Sequence, residues 1–158
     1  MLSHINEILM RLEEEIMQNT FKNEYHRLSV NLIYSGNRVN LMSSKYLKPF
    51  GLTSAQFNVL RILRGQYPKP VTVNLIIERM LDKMSNASRI VDKLVQKKLS
   101  ERKICFDDRR RVDVIITEKG VKLLKEIDKY ENEWFSKFKL LNVNEAKKLN
   151  TLLDKLRG

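Results

Sequence analysis

The feature that most constrains this chain is a pair of short amphipathic segments. Apolar residues recur at helical spacing over 73–81 and again over 87–95. Only a brief turn around Asp82 to Met84 separates the two segments. Two short helices joined by so tight a turn form the helix-turn-helix plan. The sequence therefore predicts a helix pair, with both apolar stripes directed to one core.

The segment after this pair has the alternation of a β-hairpin. Apolar residues alternate with polar ones on both sides of a charged turn, and they are Ile104, Phe106, Val112, Val114 and Ile116. The turn holds three arginines and two aspartates within five residues, 107–111. A guanidinium on a thin β-ribbon can enter a narrow minor groove, while a neighbouring carboxylate orients it. We therefore expect a DNA-binding wing whose tip carries Asp108, Arg109, Arg110 and Arg111.

Polar side chains occupy the side of the second helix that its apolar stripe leaves free. They are Ser85, Asn86, Ser88, Arg89, Lys93, Gln96 and Lys97. Short hydroxyl and amide groups reach base edges and phosphates, Arg89 can bind guanine through two hydrogen bonds, and the later lysines can contact the phosphate backbone. Such a side is, by itself, also that of an ordinary exposed helix. Next to the hairpin, it predicts a DNA-reading helix that uses Ser85, Asn86, Ser88, Arg89 and Lys93.

The charge of the chain favours a polyanionic partner. Thirty basic residues against nineteen acidic ones leave a net charge of +11. Ten of the basic residues and only four of the acidic ones lie between Lys83 and Arg111, so this stretch carries +6, over half of the excess. A basic region of this kind attracts nucleic acid but does not identify it.

Local signals mark where helices start and stop. Thr53 with Gln56 and Asn142 with Glu145 have the spacing of capping boxes, and Thr117 can cap the helix after the hairpin. Pro49 ends a long helix that begins near Asn23. An earlier helix is predicted over 5–16, and one helix after Thr117 is predicted to carry a stripe from Val121 to Phe138.

The fold class that follows is mainly α with a small β-hairpin wing: a winged helix-turn-helix with N- and C-terminal dimerisation helices. The flanking helices carry more apolar surface than a small reading head can cover, so packing between two subunits is the simplest outcome. We expect dimerisation helices in 1–48 and 118–158 and the DNA-binding domain in 49–117, within one continuous fold.

Composition argues against several other classes. The single cysteine, Cys105, excludes an internal disulfide and multi-cysteine metal sites and suits a reducing cytosol. Its basic neighbours make it a candidate for oxidation, although a lone strand cysteine is usually inert. His4 and His26 form no metal-ligand pattern. Without a signal-peptide pattern or a run of membrane-spanning length, the chain is expected in the cytoplasm.

Motifs of catalysis are missing from the sequence. It contains no G-x-x-x-x-G-K-S/T loop, no G-x-G-x-x-G turn and no nucleophile with a plausible base. We therefore expect no enzyme, no cofactor and no metal. The alternative to a DNA-binding regulator is a non-catalytic winged-helix module that docks an acidic protein partner through its basic wing.

Three stretches, Gly51–Leu60, Ser85–Leu94 and Asp108–Arg110, stand in an order and spacing that extend over about half of the chain. Thr117 follows seven residues after Arg110. On these residues the sequence resembles the MarR family of bacterial transcription regulators. The resemblance implies a homodimer with interlocked terminal helices and two winged heads over a pseudo-palindromic duplex. Such regulators usually repress transcription until a small ligand or an oxidant weakens binding.

The resemblance also assigns roles by position. Arg110 corresponds to the minor-groove arginine and Asp108 to its orienting partner, with Ser85, Asn86, Ser88 and Arg89 on the recognition helix. Lys98 stands where the family commonly has glycine, and lysine adopts a left-handed helix cap less readily, so the local turn can differ. A set of aromatic residues could line a cleft for a small aromatic effector or simply belong to the core: Tyr25, Tyr46, Phe50, Phe57 and Trp134.

Overall fold

The computed structural model describes residues 10–104 and 112–158. The helices are α1 (Leu12–Glu15), α2 (Glu24–Leu47), α3 (Ser54–Arg64), α4 (Val73–Arg79), α5 (Ala87–Gln96), α6 (Glu118–Asp128), α7 (Glu131–Ser136) and α8 (Val143–Arg157), with a 3-10 turn at Lys48–Phe50. The strands are β1 (Val71–Thr72), β2 (Ser100–Ile104) and β3 (Val112–Ile116). This mainly helical chain with a small antiparallel sheet confirms the predicted fold class.

The chain divides into two units, 1–45 and 46–158. In the first, the Arg27 guanidinium binds Glu13 at 2.8 Å, and the Tyr34 hydroxyl donates to Glu15 at 2.5 Å. A backbone hydrogen bond and the bond from Arg27 lower the pKa of Glu13. Of the helix predicted over 5–16, the part before residue 10 lies outside the described residues, and the rest was predicted too long. Arg11 is an extended N-cap, so only Leu12–Glu15 is helical. α2 begins one residue after the expected Asn23.

Side-chain caps explain where the helices of the second unit begin. At the start of α3, Thr53 Oγ1 accepts from the Gln56 amide and Gln56 Oε1 accepts from the Thr53 amide, each at 3.2 Å. The same reciprocal pair at Asn142 and Glu145 begins α8. These bonds satisfy amides that a helix start leaves free, and both predicted capping boxes are confirmed.

The sheet has the strand order β1-β3-β2, with all neighbours antiparallel. Ser100 pairs with Ile116 and Ile104 with Val112, so β2 and β3 are the two strands of the predicted hairpin. β1 was not predicted, because a two-residue strand has no alternation to detect. It places Val71 opposite Val114 and so joins the loop before α4 to the hairpin.

The core of this unit lies between α3, the helix pair, the sheet and α6. Its fully buried side chains include Val59, Leu60, Leu63, Ile76, Val91, Leu94, Val114, Leu124 and Ile127. Gly120 marks the closest approach, since a Cβ there would lie 2.3 Å from the Leu99 carbonyl oxygen. The start of α6 can therefore lie directly against the backbone just before β2 only because residue 120 has no side chain.

Two further expectations about the helices were wrong. Ile77 and Leu81 were predicted to face the core but are 42% and 88% exposed. α4 ends at Arg79, and the backbone at Met80 is extended. Leu81 therefore lies beyond the helix and does not follow its spacing. The stripe from Val121 to Phe138 is not on one helix either, because the chain breaks between α6 and α7. In the described ranges, no helix is long and apolar enough to cross a membrane.

Candidate nucleic-acid interface

The amino end of α5 is shaped by two side chains of the predicted site. Asn86 is the N-cap residue, and its Oδ1 accepts from the Arg89 amide at 3.0 Å. The Ser85 hydroxyl donates to Asp82 Oδ2, while Asp82 Oδ1 accepts from the Met84 amide at 2.9 Å. The Ser85 bond, followed by the Met84 amide, lowers the pKa of Asp82. Asn86 and Ser85 therefore hold the turn in shape with part of their hydrogen-bonding capacity.

Three other predicted residues are exposed and unengaged. Ser88, Arg89 and Lys93 all lie on the solvent side of α5, and none of their side chains forms a hydrogen bond or an ion pair that the described residues reveal. At about 100° per residue, their positions fall within roughly 140° of the helix circumference. They form one side of the helix that could contact another molecule, with one hydroxyl and two cations.

A single acidic residue on this side is paired with the hairpin. Asp92 accepts a 2.7 Å bond from the Arg102 guanidinium of β2, and both side chains are partly exposed. The pair links α5 to the first strand of the hairpin. Because Arg102 offsets the carboxylate, Arg89 and Lys93 leave this side with a positive balance.

The carboxyl end of α5 has a left-handed residue, Lys98, at the position where the resembled family commonly has glycine. Lys98 has a φ of 59°, its amide donates to the Val95 carbonyl at 2.8 Å, and the Leu99 amide donates to the Leu94 carbonyl at 2.9 Å. These two bonds form a Schellman motif with lysine in the left-handed position. The turn keeps the geometry that suits glycine, so the expected local difference is not observed.

Polar contacts from three elements meet at the same end of the helix. Lys119 Nζ donates to the Lys97 carbonyl at 3.1 Å, and Thr117 Oγ1 donates to the Lys98 carbonyl at 2.9 Å. Lys97 Nζ in turn donates to the Gly51 carbonyl and, at 3.1 Å, to Gln56 Oε1. Sequence reasoning missed these links because their partners lie 19 to 46 positions apart along the chain.

The hairpin tip and the lone cysteine lie in a part of the chain that the structure does not describe. Cys105, Asp108, Arg109, Arg110 and Arg111 are all outside the described residues, so their assigned roles stay predictions. In the described ranges, no group of three or more His, Cys, Asp or Glu residues has the arrangement of a metal site.

Three of the aromatic residues expected around a cleft lie together in the second unit. Tyr46 lies 6.4 Å from Phe50 and 5.3 Å from Trp134, measured between ring centroids. The Tyr46 hydroxyl donates to the Ile127 carbonyl at 3.1 Å, and burial raises the pKa of this phenol. Arg61 Cζ lies 5.7 Å from the centroid of the Phe57 ring, and Tyr25 is exposed in the first unit.

The chain matches known proteins over these elements. The model of the MarR family matches residues 52–112. The uncharacterized HTH-type transcriptional regulator YpoP of Bacillus subtilis (strain 168) is 33% identical over 103 residues, which are 65% of this chain and 70% of that protein. An uncharacterized HTH-type transcriptional regulator of Bacillus cereus is 31% identical over 127 residues, which are 79% and 83% of the two chains.

Solved structures have the same fold. A mutant of MarR from E. coli, complexed with operator DNA, superposes with a TM-score of 0.77 at 24% identity, covering 87% of this chain and 99% of that one. The organohalide-sensing RdhR transcriptional regulator, in its 2,4-dichlorophenol-bound form, has a TM-score of 0.77 at 19% identity and covers 90% and 86%. At these identities the likeness establishes the fold.

Proposed function

The chain belongs to the MarR family of transcription regulators, and on this premise we propose that it binds double-stranded DNA sequence-specifically as a homodimeric repressor that a small ligand releases. In this proposal 49–117 is the DNA-binding domain, and 1–48 and 118–158 supply the dimerisation helices. A regulator of genes works where the DNA is, so we propose the cytoplasm as its location.

The observation that carries the proposal is the solvent side of α5. Ser88, Arg89 and Lys93 are exposed there, and the Asp92–Arg102 pair links the same helix to the hairpin. We assign Arg89 to base edges and Lys93 to a phosphate, with Ser85 and Asn86 at the helix start. At the hairpin tip, Arg110 is assigned to the minor groove and Asp108 to its orientation, with Arg109 and Arg111 as phosphate contacts.

Exposed apolar side chains on the terminal helix support the dimer. Leu149, Leu152 and Leu156 of α8 follow the spacing of one helix side and are all exposed in the single chain. A row of leucines in water is unfavourable, and a second copy of the chain is the simplest partner that would cover it. Two reading heads would then face one duplex with two-fold symmetry.

Support for a small ligand is chemical. Tyr46, Phe50 and Trp134 come together in the second unit, and flat aromatic molecules pack well against such rings. One structural neighbour, the organohalide-sensing RdhR regulator, was solved with 2,4-dichlorophenol. We propose that a small aromatic molecule is the effector of this protein.

Selection of bound duplexes from a random pool tests the whole proposal. We expect a pseudo-palindromic sequence, a footprint with half-sites about one helical turn apart, and an affinity that falls log-linearly with salt. Repeating the selection with 2,4-dichlorophenol and with peroxide tests release. Failure to bind any duplex at low salt would contradict the proposal and favour the acidic-protein alternative.

A further inference from the structure

Lys97 is the cation at the end of α5 that sequence reasoning placed against the DNA backbone. The structure instead engages its ammonium with two protein acceptors, the Gly51 carbonyl and Gln56 Oε1, the latter at 3.1 Å. Gly51 is the left-handed residue after the 3-10 turn, and Gln56 is a buried side chain in the first turn of α3. The cation therefore bridges the last turn of the reading helix to the first turn of another helix.

The acceptor on Gln56 is held in place by a second hydrogen bond, independently of Lys97. Gln56 Oε1 also accepts from the Thr53 amide at 3.2 Å, within the capping box that begins α3. The main chain of Lys97 is held as well, because its carbonyl accepts from Lys119 at 3.1 Å. Residue 97 is thus fixed from two sides, by α3 through its side chain and by α6 through its backbone.

We propose that Lys97 is a positioning residue: its bridge to Gly51 and Gln56 sets the direction in which α5 presents Arg89 to the base edges. The proposal rests on the proposed DNA binding of this protein. A ten-residue helix is about 15 Å long, so a tilt of about 5° at one end moves the other end by roughly 1.3 Å. Such a shift exceeds the distance range of a good hydrogen bond to a base.

A positioning lysine and a phosphate-binding lysine have different signatures. Loss of a phosphate contact lowers affinity equally on all sequences and reduces the slope of log K against log salt by about one. Loss of the bridge lowers affinity for the selected duplex more than for a random duplex and leaves the slope unchanged. A partly unfolded variant loses active protein on both duplexes alike, so the specific-to-random ratio separates positioning from mere instability.

The test uses the full chain, the duplex from the selection and a random duplex of equal length. Lys97→Met removes the ammonium, and Gln56→Leu removes one of its two acceptors without changing charge. Lys93→Met is the matched exposed control on the same helix. Thr53→Ala breaks the capping box but keeps Gln56 as the acceptor. We expect the ratio to fall about three- to tenfold for the first two variants at an unchanged salt slope.

The controls should behave differently. Lys93→Met should reduce the slope of log K against log salt by about one and leave the specific-to-random ratio unchanged. Thr53→Ala should change neither the slope nor the ratio. The double variant of Lys97 and Gln56 should lose no more ratio than Lys97→Met alone, because both bonds of the bridge need the Lys97 ammonium. A slope lower by about one for Lys97→Met, or an unchanged ratio for Gln56→Leu, would overturn the positioning role. If the wild type selects no duplex, the proposed function itself is wrong.

Discussion

The side chains of α5 differ in how free they are, and that difference predicts their roles. Among the described residues, Arg89 and Lys93 are exposed and form no side-chain bond. Asn86 accepts a hydrogen bond at the helix cap, and Ser85 donates one within the turn. A free guanidinium can satisfy two base acceptors at once, while a free ammonium acts as a point charge. The two cations should therefore fail differently when they are removed.

Arg89→Ala should relax base preference, at a cost of about 1 to 3 kcal/mol for one lost bidentate contact. Binding assays on the selected duplex and on single-base variants of it measure the change. Lys93→Ala serves as the comparison, since it should weaken every duplex to the same extent. Equal losses on all sequences for both variants would mean that Arg89 also contacts only phosphate.

Ser100 is a buried residue whose hydroxyl lacks a hydrogen-bond partner among the described residues. It is 1% exposed at the start of β2. An unsatisfied buried hydroxyl costs about 1 to 3 kcal/mol. Ser100→Ala should leave the free energy of unfolding unchanged or raise it by about 1 kcal/mol, measured by urea denaturation. Exposed Ser88→Ala is the control, and a clear loss at Ser100 would show that the hydroxyl has a partner.

At the scale of elements, the end of α5 contains a lysine in a backbone conformation that favours glycine. A left-handed residue with a Cβ costs about 1 kcal/mol relative to glycine. Lys98→Gly should therefore raise the free energy of unfolding by about that amount, and thermal or urea unfolding would measure it. Lys98→Ala removes the charge but keeps the Cβ, so it should bring no such gain. Equal gains for both would assign the effect to charge.

Elements with regular periodicity could be predicted from the sequence, and elements made by contact could not. The spacing of Thr53 and Gln56 is enough to place a helix start, because both partners of that cap are local. β1 exists only because Val71 pairs with Val114, which lies 43 positions later in the sequence. Leu81 was misplaced for a related reason: the pattern continues through it, but the helix ends at Arg79.

The candidate site divides in the same way. Periodicity identified the free side of α5, since a stripe of apolar residues also defines what lies opposite. It could not separate Lys93 from Lys97, which lie one turn apart with the same side chain. Only the distant Gly51 carbonyl and Gln56 distinguish the engaged lysine from the free one.

For the whole molecule, the exposed leucines of α8 bear on assembly. Leu152→Glu combined with Leu156→Glu places two carboxylates where we propose a subunit contact, so we expect monomers and loss of tight operator binding. Sedimentation velocity measures the first effect. Asn150→Glu changes an exposed residue of α8 outside the row of leucines, so it should leave the mass of the assembly in solution unchanged. A double variant that keeps the mass of the wild type would remove α8 from the interface.

One hydroxyl joins two helix ends. Thr117 Oγ1 accepts from the Gly120 amide at 3.1 Å to begin α6 and donates to the Lys98 carbonyl at the end of α5. Segments that share a bond of this kind tend to open together rather than one by one. In native-state hydrogen exchange, the amides of Leu99 and Gly120 should therefore have the same opening free energy, and Thr117→Val should lower both. Through a single side chain, α5 and α6 would form one cooperative unit of unfolding.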